Sequence, residues 1–315
     1  MQVATDLVDA LVTVLTSVQG ILVTISLVSM LTAFGMQLTR GDVRRTTREY
    51  NLVARWILAN LLAVPLFAAL LGAVIGLPDS ILVALLLVAV APGAPFIPQL
   101  ATMAGGNSHE AIRLTAALTV VATVTVPLLV FVTLELLQVG IGVSLVRLLL
   151  PLLLALVVPL VAGAALRDRR PDLAAPATRG LIALSNVTLL LALVLVVLLN
   201  PGTARRALAI LYGTGALLLM ALFVLASIAI GWLTGGPTPQ NRRILALGTA
   251  ARNVNIALFI ATVAFPDSTA EDSIVAFAFI MFAVSLLVAW YWRHHPLTEE
   301  STQGSESPKR QSPES

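Results

Sequence analysis

The 315-residue chain has no cysteine, a single lysine and few charges of any kind. Without cysteine there is no disulfide framework and no thiolate metal site. Charged residues make up 11% of the chain, under half of the ~25% typical of soluble domains. Apolar residues make up 58%, and mean hydropathy is +0.96. These figures exclude a soluble globular enzyme, a nucleic-acid binder and a disordered protein. An isoelectric point near 9.9 does not bring nucleic acid back. The net charge is only +3, and the 18 arginines are scattered among short loops, so no basic face tracks phosphates. What remains is an all-α polytopic membrane protein.

Charged residues divide the sequence into nine apolar stretches: 9–40, 55–79, 79–110, 113–135, 147–167, 179–205, 206–242, 243–267 and 272–293. Each is long enough for the ~20 residues of a spanning helix. The runs are continuous rather than alternating, which excludes a β-barrel. The first helix is expected at about 18–39, leaving 1–17 as a short surface segment. Asp6 and Asp9 without a basic n-region argue against a cleaved signal peptide. The Ser-, Glu- and Pro-rich residues 294–315 read as a disordered cytoplasmic tail. Alternate loops collect 15 of the 19 basic residues, so the N-terminus is expected outside and the C-terminus inside a plasma or inner membrane. Trp56, Trp232, Trp290 and Trp292 fall near cytoplasmic helix ends, where interfacial anchors belong.

A short echo links Leu38–Arg45 with Leu199–Arg206, at an offset of 161 residues. The same offset carries Pro92 to Asn253, the two places where a membrane helix is interrupted. Helices 1–4 then match helices 6–9 as an inverted repeat, a transporter architecture with paired broken helices. The third helix carries Pro92, Gly93, Pro95 and Pro98, too many breakers for a regular helix. Such backbone survives at membrane depth only inside protein or beside a wet cavity. The eighth carries Gly248, Arg252, Asn253 and Asn255. An arginine near the bilayer centre costs a few kcal/mol even on the lenient insertion scale, and no acidic residue lies at matching depth. Three readings stand: Arg252 is satisfied by carbonyls at half-helix ends, it contacts an anionic substrate, or it lies nearer the interface and snorkels there. Half-helix N-termini at mid-depth also favour an organic anion. Asn60, Thr115 and Thr119 are the remaining candidates to line the site; a threonine hydroxyl bonded back to its own helix is the alternative for the last two. His109 and Glu110 sit at a cytoplasmic turn and read as solvated.

Three segments resemble the bile acid:sodium symporter family. Phe34-Gly35-Met36-Gln37-Leu38-Thr39 is similar to that family's FGMGLT segment, Pro92-Gly93-Ala94 to its CPGG break, and Arg252-Asn253 with Ile256-Ala257-Leu258 to its QNSGLA segment. The resemblance spans about residues 20–293. It implies a panel domain of helices 1, 5 and 6, and a core domain of helices 2–4 and 7–9. It also implies that the broken helices cross in the core and that organic anions, bile acids among them, are carried by an elevator-like or rocking motion. Nine helices rather than ten is a pattern also seen in the animal members.

The family's sodium-site residues are not retained. The matching positions for a Ser-Asn pair are Ile97 and Pro98; for a Ser and Thr four apart, Thr115 and Thr119; for a glutamine, Asn60. The shared acidic residue falls at Gly248 and the glutamine after it at Arg252. At ~5 Å and an effective dielectric of ~20, a fixed cation would repel sodium by about 3 kcal/mol. The expectation is a carrier of a small organic anion with weakened or absent sodium coupling. A symporter with a rebuilt cation site, a channel and a receptor on the same scaffold are the alternatives. No catalytic motif marks an enzyme, and no cofactor or metal site is expected, sodium being left open. The bilayer and a small organic anion are the expected partners, with no nucleic acid.

Overall fold

The computed structural model describes residues 2–39, 41, 44, 48–136, 145–199, 216–265 and 270–295. Among these there is helix and no strand. We number the helices α1 Gln2–Gln37, α2 Tyr50–Ile75, α3 Asp79–Ala89, α4 Ile97–Met103, α5 Ser108–Leu136 and α6 Leu145–Arg169. There follow α7 Pro171–Leu199, α8 Ala216–Thr234, α9 Pro239–Ala250, α10 Val254–Ala264 and α11 Ala270–His294. Seven segments of the described residues are long and apolar enough to cross a membrane: Val18–Gln37, Tyr50–Ile75, Ser108–Thr133, Pro171–Leu195, Leu217–Thr234, Pro239–Val263 and Ala270–His294. The protein is therefore a multi-pass membrane protein. α3 is a shorter apolar helix. α1 runs unbroken from Gln2, so positions 2–17 continue the first spanning helix rather than forming an element of their own. The second half of the echo (200–206) and the tail (296–315) lie outside the described residues.

Burial separates lipid-facing from central helices. The Pro239–Val263 segment is 100% buried over its apolar window, whereas Pro171–Leu195 is 22% buried. On α2, Leu58, Leu62, Leu66 and Leu70 form an exposed stripe at i, i+4 spacing. In water that stripe would be an aggregation patch; acyl chains solvate it.

α1 packs most extensively on α6 and α7, and α8 on α9. Glycine sets the first of these contacts. A Cβ on Gly35 would lie 2.1 Å from the Leu160 carbonyl oxygen, and one on Gly163 2.1 Å from that of Thr32. Only hydrogen fits, so the two backbones touch, as small residues allow between helices that gain nothing from leaving lipid.

Arginines fasten helix ends at one end of the molecule. Arg243 donates from Nη1 to the carbonyls of Ala104 (2.7 Å) and Trp292 (3.0 Å) and from Nη2 to that of His295 (2.7 Å). It thus satisfies the free carbonyls where α4 and α11 stop. Arg167 Nη1 donates to Met36 O at 3.1 Å, and Arg113 pairs with both Glu49 and Glu110. Glu110 is thus an ion-pair member rather than a solvated group. The Trp232 and Trp292 rings pack tilted at 5.3 Å, with Arg242 and Arg243 over them. Trp56 departs from the anchor role. It is fully buried, with Gly248 against its ring.

Candidate functional site

The two expected interruptions are present and touch each other. α3 ends at Ala89 and α4 begins at Ile97. Gly93 takes φ +85°, a left-handed conformation that glycine adopts without steric cost. Ile97 N–H then donates to Ala94 O at 3.3 Å, closing a turn with Pro95 second, where its fixed φ fits. Pro98 lies in the first turn of α4, where its missing N–H is not needed. It helps to start α4 rather than forming part of the break. Gly248 likewise lies inside α9, and the second interruption is Ala251–Asn253.

Asn253 joins the two breaks. Its N–H donates to Ala91 O at 2.7 Å and its Nδ2 to Gly93 O at 3.0 Å. Its Oδ1 accepts from Ile256 N at 3.3 Å, which makes it the N-cap of α10. One side chain therefore satisfies orphan groups of both interrupted helices, which lipid could not do.

Ala251 (φ −75°, ψ 101°) and Asn253 (φ −82°, ψ 92°) are extended, and side chains adjacent on extended backbone point opposite ways. The site residues accordingly divide between two faces. Asn253 and Asn255 reach α1: their Nδ2 atoms lie 3.4 and 3.6 Å from Met30 Sδ. Ser26 Oγ lies 2.6 Å from Asn255 Oδ1 and 3.0 Å from Ser185 Oγ of α7. Arg252 points the other way, toward α2. Its Nη1 donates to Asn60 Oδ1 at 3.1 Å and to Asn60 O at 3.4 Å.

The reason Asn60 can accept twice lies in its helix. Residues Ala59–Ala63 form a π-turn in which Val64 N–H bonds to Ala59 O. That shift deprives Asn60 O of its usual donor, Val64, and the next nitrogen, Pro65, carries no hydrogen. The carbonyl is left for Arg252. The Asn60 amide is held by Nδ2 donation to Trp56 O (3.0 Å) and Thr249 Oγ1 (3.2 Å).

Arg252 is fully buried, and among the described residues no carboxylate pairs with it. Its Nε and Nη2, and Trp56 Nε1 nearby, have no acceptor. A Cβ on Gly248 would meet the Trp56 ring at 2.8 Å and Ile97 Cγ2 at 3.3 Å. The space between Gly248, Trp56 and Ile97 is thus packed with carbon. Thr115 and Thr119 donate back to Ala111 O (2.7 Å) and Thr115 O (2.8 Å) of their own helix. Thr119 Oγ1 also lies beneath Gly93, 2.9 Å from where a Cβ would be.

Residues 24–204 match the sequence profile of the Sodium Bile acid symporter family. The chain belongs to this family. Its members are membrane transporters, and a transporter-like domain with interrupted helices is what the structure holds. No curated protein matches the chain. Against the symporter family's expected site, the residues that sequence reading missed are Ser26, Met30, Ser185, Trp56 and Thr249. Ser26 and Ser185 carried little signal, because other polar residues share their helices, among them Thr24, Ser29 and Thr32 in α1 and Asn186 and Thr188 in α7. Trp56 carried a misleading one, as an aromatic near a helix end.

Proposed function

We propose that this protein is a secondary carrier of a small organic anion in which the Arg252 guanidinium takes the place of bound sodium. The observation that carries this is the fully buried, carboxylate-free guanidinium on Asn60. An isolated buried charge is costly, and a mobile negative charge on the opposite face of the crossing relieves that cost. The anion sits on the α1 side, where Asn253, Asn255, Ser26 and the N-terminus of α10 supply donors. α1, α6 and α7 form the panel, and the remaining helices form the core. Counting each interrupted pair as one crossing gives nine spans in an inverted repeat, with the arginine-rich end cytoplasmic. Packing of α1 on α6 and α7 supports the division.

The test is thermal stabilisation of the purified protein by a panel of organic anions, in NaCl and in choline chloride at equal ionic strength. An anion at ~100 times its Kd adds about 2.7 kcal/mol. Stabilisation equal in both salts, and lost in Arg252→Gln, is the expected result. A hit that requires sodium means a symporter with a rebuilt cation site, and unchanged affinity in Arg252→Gln ends the proposal.

A further inference from the structure

Far from the arginine-rich end, a carboxylate bridges the two halves. Glu271, in the first turn of α11, accepts from Gln19 Nε2 of α1 at 3.1 Å and from Thr262 Oγ1 of α10 at 2.8 Å, a hydroxyl it shares with Leu258 O at 2.9 Å. Both donors are neutral, and among the described residues no cation pairs with Glu271. The contrast is with Glu49 and Glu110, whose charges Arg113 neutralises. Beside the link lies a cavity of about 360 Å³, lined by Gly20, Val23 and Thr24 of α1 and by Phe259, Thr262 and Val263 of α10. Thr262 thus faces the cavity and holds the carboxylate.

We propose that Glu271 is a proton-binding site that couples the movement of α1, α6 and α7 against the other helices to protons rather than sodium. The proposal rests on the panel and core division above. With Glu271 ionised, the Gln19 and Thr262 bonds are charge-assisted and hold α1 on α10 and α11. A proton taken up on a carboxylate oxygen leaves neutral bonds about half as strong, and the halves separate on this side.

Among the described residues, few other charged positions lie on the elements packed here. Between positions 18 and 37 α1 has none, and α10 and α8 have none. Asp272 is the next residue on α11 and is buried. Asp79 opens α3, which packs on both α10 and α11, and Arg147 lies in the first turn of α6, which touches α10. Asp267 precedes α11 outside the described residues, and Asp6 and Asp9 lie ~15 Å or more along α1 from Gln19.

The absence of cysteine makes the test direct. Ile21→Cys and Val263→Cys place two spin labels on exposed positions of α1 and α10 at the cavity rim. Distances between them are read by double electron–electron resonance on the full-length protein in phosphatidylcholine nanodiscs. Between pH ~7.5 and pH ~4.5 the longer-distance population should rise about five- to tenfold. In Glu271→Gln it should be high at both pH values, and Asp272→Asn should keep the response. A response that survives in Glu271→Gln, or a Glu271→Gln protein that stays closed, overturns the proposal. Gln19→Ala cuts the link without touching a titratable group. If it opens while Glu271→Gln does not, the proton assignment alone falls. If neither opens, the reading of two moving halves falls with it.

Discussion

Asn60→Asp separates the charge argument from the folding argument. The substitution is nearly isosteric and puts a carboxylate oxygen where Asn60 Oδ1 now accepts from Arg252 at 3.1 Å. The ion pair formed strengthens that contact. Against this, the amide donor to Trp56 O and Thr249 is lost, and the second carboxylate oxygen faces a carbonyl. Gains and losses of about 1–2 kcal/mol each nearly cancel, so the melting temperature should move by no more than ~3 °C. The effect on the anion is not balanced. A new negative charge ~8 Å away across the crossing, at an effective dielectric of ~20, opposes the anion by about 2 kcal/mol. That is roughly a 30-fold weaker Kd. The assay is titration of whichever anion stabilises the wild-type protein, followed by thermal unfolding in choline chloride. A variant that melts normally and binds that anion within about threefold of wild type refutes the electrostatic role of Arg252.

Three further outcomes follow from the same geometry. Gly248→Ala forces a Cβ to within 2.8 Å of the Trp56 ring, and overpacking of ~1–3 kcal/mol should lower the melting temperature by several degrees. Gly35→Val should fold poorly, because its Cβ would lie 2.1 Å from Leu160 O; loss of monodisperse protein on size exclusion is the readout. Pro65→Ala restores an N–H that competes with Arg252 for Asn60 O, so anion affinity should fall severalfold while the helix itself becomes no less stable, as titration and melting would show.

Much of the fold was legible because membrane insertion writes long apolar runs and clusters helix breakers where backbone must be interrupted. Pro92, Gly93 and Pro95 announced the first break, and Arg252 with the two asparagines that follow it the second. What the sequence hid was depth and direction. Trp56 looks like an interfacial anchor at a helix end, yet the missing Cβ of Gly248, nearly two hundred positions away, opens the space that buries it. Gly248 looks like a breaker, but its helix continues to Ala250. Arg252, Asn253 and Asn255 read as one polar cluster until extended backbone sends the first two side chains to opposite faces. The π-turn that frees Asn60 O is implicit in Pro65, five positions on, but nothing in the sequence says which donor claims it.

A tethered cation changes what a carrier of this family can do. A bound sodium ion arrives with the substrate and leaves on the other side, so its gradient contributes to the work of transport. Arg252 is part of the chain and is present whichever way the site faces. In the proposed carrier it strengthens anion binding equally in both orientations, and an interaction with no preference between two states shifts nothing between them. On this reasoning a sodium gradient should not drive accumulation in liposomes, whereas exchange of labelled for unlabelled anion should proceed. Any uphill movement has to come from a group whose charge differs between the two orientations. Arg252, sealed on Asn60 in carbon packing, is poorly placed for that task. Glu271, beside a cavity and held only by neutral donors across the boundary, is well placed. Accumulation driven by a proton gradient in the wild type, and reduced to exchange in Glu271→Gln, would divide the work of binding and the work of driving between these two residues.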